Sequence, residues 1–309
     1  MSSTNQSKLP PLTILPGWIV LGIFFGISML MMFILSFGKV DDITRQIAPI
    51  DDLKTYIQSG EAFHNYRDTY QPDPDMLDPT SPYPRIFWKS TWLAIITTVL
   101  CLLISYPMAY YIAIMVDARW KNLLLALVAI PFWTSFLIRT YAWRIILQSD
   151  GLLNTVLLKL HIIHEPLQLL GGNADFAVLL GLVYGELPFM ILPLYASLEK
   201  LDQTLLEAAS DLGAGAFSRF WRITVPLTMP GILAGTVLVF IPSIGQYVVT
   251  DVLGEGKYML IGNVIQQQFS SAGSKPFGAA LSFELSAIVL FLLMAYALYN
   301  RATKQEPML

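Results

Sequence analysis

"EAASDLGAGAFSRFWRITVP", residues 207–226, lies between two long apolar runs, yet it is small, polar and partly charged. Thr204 and Glu207 just upstream have the T-x-x-E spacing of a capping box, in which two side chains satisfy the exposed amides of a helix's first turn. A helix is therefore expected to begin just after Thr204, with Asp202 as a rival cap. Ala208, Ala209 and Ser210 give it a slim face, and Gly213 is placed to end it in the left-handed conformation that glycine adopts cheaply. A second short helix over about 216–223 carries Arg219 and Arg222 at i, i+3, with Phe217, Phe220 and Trp221 beside them, and Pro226 opens the next helix. Two short helices joined at a glycine cannot cross a bilayer. They form either a shaped coupling element that slots into a pocket on another protein or a surface hairpin that connects two spans, and each residue taken singly fits both.

The rest of the chain identifies the solvent. Of 309 residues, 55% are hydrophobic and only 13% charged, too little charge to solvate a globular surface of this size. Backbone polar groups in hydrocarbon must be satisfied within the helix, so a spanning segment needs roughly 20 apolar residues. Six runs meet that length: 16–37, 90–116, 122 to about 147, 176–198, about 226–250, and 277–300. The first lacks a small-x-small cleavage site and reads as a retained anchor.

Orientation follows from Lys and Arg. With the N-terminus inside, the inner segments hold Lys8, Arg119, Lys121, Lys200, Arg219, Arg222, Arg301 and Lys304, whereas the two shorter outer loops hold only Lys159, Lys257 and Lys275. The long outer segment adds six basic residues between Lys39 and Lys89 and blurs the count. The net charge of −3 gives no reason to expect nucleic acid or another polyanion.

The organisation expected is residues 1–37 as N-terminus and first span, an extracytoplasmic loop over 38–89, a transmembrane core over 90–300 with the coupling loop at 199–226, and a cytoplasmic tail over 301–309. The outer loop holds nine acidic residues and the Pro-rich "YQPDPDMLDPTSPYP", which cannot be regular helix or strand. It is a cap folded over helix ends or a docking surface. In a second outer loop, about 148–175, an amphipathic stretch contains His161 and His164; without a third convergent ligand these are read as solvent-facing, and no metal is expected. The single Cys101 lies within the second run and can form no internal disulfide.

The pattern Glu207, Ala208, Ala209, three residues, Gly213, nine residues, Ile223, one residue, a hydrophobic residue and Pro226 resembles the EAA signature of the membrane subunits of bacterial ABC importers, with Val225 where Leu is usual. "IPFWTSFLIRTYAWRIILQSDGLLN", "GLVYGELPFMILPLYASLEKLDQTLLEAASDLGA", "VPLTMPGILAG" and "MLIGNVIQQQF" are similar to the spermidine/putrescine permeases of that superfamily, from about residue 88 to the end. The resemblance implies an all-α integral membrane protein with six transmembrane helices in the type I ABC importer permease fold. It lies in the bacterial cytoplasmic (inner) membrane with both termini cytoplasmic, and passes a polyamine. The resemblance also implies the partners: a second homologous permease, two cytosolic ATPase subunits and an extracytoplasmic solute-binding protein. Glu207, Ala208, Ala209, Gly213, Arg219 and Arg222 would couple to the ATPase.

No GxxxxGK[ST] occurs, so the chain is expected to bind no cofactor itself, with MgATP on the partner ATPases. HExxH and GxSxG are missing too, and no catalytic residue is expected. Charges within spans are the informative exceptions, since each costs a few kcal/mol unless it meets a polar cavity or the interface. Arg139 and Arg144, roughly 26 Å or more from the inner end of their span, are read as snorkelling to the outer headgroups, with a role as ligands for an anionic or zwitterionic solute as the alternative. Glu186, roughly 15 Å into the fourth span, is either protonated and bonded to a neighbouring helix or lines a cation path. Asp251 at the outer end of the fifth span and Glu284 about two turns into the sixth could ring an outer mouth. Trp133, Tyr141 and Tyr247 offer aromatic faces to cations or serve as packing residues. Pro131, Pro188, Pro193 and Pro242 are expected to interrupt their helices.

Overall fold

A computed structural model describes residues 15–39, 56, 59–70, 82–270 and 273–303. Lys8, Lys304 and most of the Pro-rich outer stretch lie outside the described residues. Everything regular among the described residues is helical. The elements are α1 (Leu15–Ser36), α2 (His64–Tyr70), α3 (Pro82–Tyr110, continued by a π turn over Tyr111–Met115), α4 (Ala118–Ala129), α5 (Phe136–Leu147) and α6 (Leu152–Lys159). They continue with α7 (Asp175–Leu198), α8 (Gln203–Asp211), α9 (Ala216–Leu227), α10 (Met229–Ile244), α11 (Val248–Leu253), α12 (Ile261–Gln268) and α13 (Lys275–Thr303).

Six spans were expected, the third, fourth and fifth of them interrupted at prolines. Among the described residues, three helical stretches are long and apolar enough to cross a membrane, 82–115, 175–198 and 275–295, or up to five if each of two bent pairs is one span. The first expected span is α1, 22 residues of which all but the glycines, Pro16 and the two serines are hydrophobic. The expected third span bends by 86° between the stretches 118–133 and 136–159. Pro131 has no amide to donate, the chain tightens to a 3-10 turn over Ile130–Trp133, and Thr134 and Ser135 are extended. The expected fifth span bends by 66° at Thr228, between Pro226 and Pro230. It then ends at Ile244, so that Asp251 sits on the separate helix α11 instead of closing the span.

Prolines alone did not determine where helices break. Pro188 and Pro193 lie inside α7, which remains one helix of 24 residues, and Pro242 lies within α10. Side chains of α3 donate to two carbonyls of α7 that precede Pro188: Cys101 Sγ to that of Val183 at 3.7 Å and Ser105 Oγ to that of Leu187 at 3.4 Å.

The chain divides into two compact units, residues 1–81 with 265–288, and residues 82–264 with 289–309. In the first, α2 is tied to the end of α1. Asn65 Nδ2 donates to the Ser36 and Gly38 carbonyls at 2.8 and 2.9 Å, Tyr66 and Ser36 share a hydroxyl bond of 2.7 Å, and Phe37 packs on the rings of Phe63 and Tyr66. In the second, α3, α7 and α10 pack together. Small residues allow the approach: a β-carbon on Gly231 would lie 2.4 Å from Ser197 Cβ and 2.7 Å from the Pro193 carbonyl oxygen, and one on Gly235 2.6 Å from Met190 Sδ. Cys101, Ala109, Met190, Leu194 and Val239 fill the centre of this trio.

Candidate functional site

The coupling segment folds as two short helices meeting at a glycine. Asp202, the rival cap, is the one used: its Oδ1 accepts from the Thr204 amide at 3.0 Å and from the Thr204 hydroxyl at 2.8 Å. Because the Thr204 hydroxyl is spent on Asp202, helix α8 starts at Gln203 without a Thr204–Glu207 box. Gly213 takes φ +82 as the spacing predicts, and the amides of Gly213 and Ala214 close on the carbonyls of Ser210 and Ala209 at 2.9 Å each.

The second helix runs past the expected end at 223 to Leu227 through a π turn over Phe220–Thr224. Arg219 folds back, its Nη1 donating to the Leu206 carbonyl at 3.3 Å, and so braces the hairpin from within, whereas Arg222 is exposed. Glu207 and Ala208 are exposed, and Ala209 is half-buried. Leu212, Phe217 and Trp221 are 88%, 78% and 55% exposed, an apolar rim that water does not favour. Phe220 anchors the hairpin to the bundle, its ring 5.4 Å from Tyr106 and 6.4 Å from Tyr110, while the Tyr106 hydroxyl bonds Thr228 Oγ1 at 2.9 Å. A displacement of α9 must therefore move α3 and the start of α10. A cavity of about 560 Å³ opens beside the hairpin between Pro193, Ser197, Lys200, Asp202, Leu205 and Pro230.

The Asp202 carboxyl is held below the ordinary Asp range, first by the Thr204 hydroxyl and then by its amide. A carboxyl depressed in the folded state stabilises above its unfolded pKa, and that contribution is lost as pH falls through the folded value. Acidification is expected to fray α8 from its first turn. The check is hydrogen exchange at amides 203–206, corrected for intrinsic pH dependence: it should quicken at low pH, and Asp202→Ala should show the fast rate already at neutral pH.

The residues expected along a path differ in exposure. Trp133 and Tyr247 are 84% and 44% exposed, and Asp251 is exposed on α11. Glu284 belongs to the first unit, where Tyr70 lies against its carboxylate; burial first, and this carboxylate second, push the Tyr70 phenol up. Glu186 is 5% exposed in the middle of α7, and its Oε2 has no partner.

The two arginines lie in different surroundings. The Arg139 side chain is half-buried, with Nε and Nη1 shielded and unpartnered, and its guanidinium lies 5.6 and 5.8 Å from the ring centres of Phe132 and Phe136. It is also the opposite charge that bears on Glu186. Arg144 pairs with Glu255 at 3.2 Å. That pair gives the Arg144 guanidinium a charge-assisted hydrogen bond within the chain.

One constellation escaped the sequence reading. Tyr258, buried in the segment after α11, donates to Asp175 Oδ1 at 2.5 Å, and Lys89 Nζ lies 3.6 Å from the Tyr258 ring centre and 3.9 Å from Asp175. Burial, then the Asp175 bond, push the Tyr258 phenol up. These contacts clamp the starts of α3 and α7 to the segment between α11 and α12. The only signal was that Lys89 and Asp175 each abut an apolar run.

Comparison with known proteins follows from this geometry. Residues 90–305 match the family described as binding-protein-dependent transport system inner membrane component. The spermidine/putrescine transport system permease protein PotB of Haemophilus influenzae is 43% identical over 249 residues, 81% of this chain and 85% of that one. PotB of Salmonella typhimurium strain LT2 is 39% identical over 96% of this chain and 94% of its own, and PotB of Escherichia coli K12 is 40% identical over 91% and 93%. Among solved structures, a bacterial ABC transporter involved in the import of the acidic polysaccharide alginate superposes with a TM-score of 0.68 over 94% of each chain at 14% identity. An alginate ABC transporter in complex with an alginate pentasaccharide-bound periplasmic protein gives 0.60, over 96% of this chain and 95% of that one, at 18% identity. At that identity the shared property is the fold.

Proposed function

The chain belongs to the family of binding-protein-dependent transport system inner membrane components, and from that premise we propose that it forms half of the path by which a polyamine such as spermidine or putrescine enters a bacterial cell. The observation that carries this reading is the similarity of 39–43% identity, over most of both chains, to permeases named for spermidine and putrescine. A second, homologous permease supplies the other half of the path. Two cytosolic ATPase subunits carry MgATP, an extracytoplasmic binding protein delivers the solute, and both termini face the cytoplasm.

The hairpin over 203–227 is the mechanical link. Its exposed apolar rim at Leu212, Phe217 and Trp221 supports docking on a partner, and Phe220 against Tyr106 and Tyr110 supports transmission to the bundle. ATP binds the closed ATPase dimer better than the open one, and that difference draws the paired hairpins together and switches access from inward to outward. Hydrolysis resets the cycle. An anionic solute is disfavoured because Arg144 already pairs with Glu255 and the Arg139 guanidinium already lies over the rings of Phe132 and Phe136.

The test is ATP-dependent accumulation of labelled spermidine and putrescine in proteoliposomes containing the chain and its co-purifying partners. Uptake blocked by unlabelled polyamines and untouched by anionic competitors is expected. ATP hydrolysis without polyamine movement would refute the substrate and leave the importer standing.

A further inference from the structure

The helix α7 carries a carboxylate in its middle, where a charge is costly unless something compensates it. Glu186 follows Gly185, which lies beside Phe136 of α5: a β-carbon on Gly185 would be in ordinary contact, 3.4 Å from the Phe136 ring. One turn along α5 from Phe136 stands Arg139, and one turn along α7 from Glu186 stands Phe189, packed edge-on at 4.9 Å against Phe132. A guanidinium and a carboxylate are thus brought to facing helices among three aromatic rings.

They are brought close and left unjoined. A direct fork between Arg139 and Glu186 would satisfy the free oxygen and the free nitrogens together. Instead Glu186 Oε2, Arg139 Nε and Arg139 Nη1 are all shielded and without partners. The two sides of this gap are not equally deprived. Arg139 is compensated by the faces of Phe132 and Phe136, which attract a cation without consuming its N–H groups. Nothing comparable serves Oε2, so the unmet requirement is for a compact positive donor.

We propose that Glu186 is an intramembrane station for a primary ammonium of the transported solute, with Arg139 as the resident cation that balances the carboxylate when the station is empty. This rests on the polyamine reading above. An alkylammonium carries three donors on a small head and meets a single carboxylate oxygen without the planar fork geometry a guanidinium needs. When it binds, Arg139 keeps its two ring faces, so the resident charge is displaced without being stranded. The empty site stays neutral overall, so a carboxylate can persist at this depth between transport cycles. Glu186 and Arg139 lie far apart in sequence, on the fourth and third apolar runs, and only the packing of α5 on Gly185 makes them neighbours.

The experiment measures KM and maximal rate of ATP-driven spermidine uptake in proteoliposomes of the full complex, for wild type, Glu186→Gln, Arg139→Gln and the double variant. Glu186→Gln is expected to raise KM about tenfold, a loss of about 1.4 kcal/mol, with ATP hydrolysis retained. The double variant, which removes both charges, should stay as high. Recovery of the wild-type KM in the double variant would overturn the proposal, because it would mark the pair as structural. An unchanged KM in Glu186→Gln would overturn it too, as would a KM raised by Arg139→Gln alone, the signature of an anion. If Glu186→Gln fails to assemble, the charge-balanced double variant carries the test by itself. Wild-type complex that moves no spermidine brings down the polyamine reading and this station together; wild-type uptake with an insensitive Glu186 removes the station alone.

Discussion

Valine at Gly213 is expected to leave the chain in the membrane and to cut ATP-driven uptake by about thirtyfold or more. The glycine sits at φ +82, where a β-carbon meets the neighbouring carbonyl, and a β-branched residue is the worst choice. The local cost is about 2 kcal/mol, which depopulates the intact hairpin by about thirtyfold. A β-carbon at this position meets nothing else within 4 Å, so the damage is confined to the turn and does not spread into the bundle. Gly213→Asn, which tolerates the left-handed conformation, should retain most activity. Glu207→Arg provides an independent check, since it reverses an exposed charge on α8 without touching the turn. Membrane content by immunoblot, ATP hydrolysis and uptake measured together decide the matter. Normal uptake in Gly213→Val would end the coupling role assigned to this segment.

Alanine at Gly231 is expected to damage the bundle itself. Its β-carbon would stand 2.4 Å from Ser197 Cβ and 2.7 Å from the Pro193 carbonyl, and neither neighbour is the loose end of a flexible chain. Helices α7 and α10 must separate, at a cost of about 3 kcal/mol by the usual scale of overpacking. In detergent this should appear as a lower thermal midpoint and a loss of monodisperse protein. Gly22→Ala on α1 is the control, because nothing lies within 4 Å of its β-carbon. Equal stability of the two variants would show that the small-residue contact is not what holds the α7–α10 seam.

Much of this fold is legible along the chain, because a membrane helix must satisfy its own backbone and therefore shows itself as a long apolar run. The apolar runs, the hairpin and the left-handed Gly213 all rest on such local rules. The breaks were harder to read. Pro131 and the prolines around Thr228 stand at breaks, whereas Pro188 and Pro193 lie inside an unbroken α7, so a proline by itself does not locate a break. The choice of Asp202 over Thr204 as cap was a contest between two valid local patterns, settled when the Thr204 hydroxyl donated to Asp202.

Charged residues mark the division most clearly. The sequence alone determined that Glu186 and Arg139 lie within apolar runs and that Glu207, Gly213 and Arg219 lie between them, because hydrophobic patterning and turn chemistry are properties of adjacent residues. The tertiary structure alone decided that Arg139 lies over the rings of Phe132 and Phe136, that Arg144 pairs with Glu255, and that Tyr258 binds Asp175 beneath Lys89. Depth along a helix comes from counting residues, but the direction of a side chain depends on the rotation and bend of two helices packed against each other. That packing joins residues far apart in the chain, as where Phe136 lies against Gly185, 49 positions on.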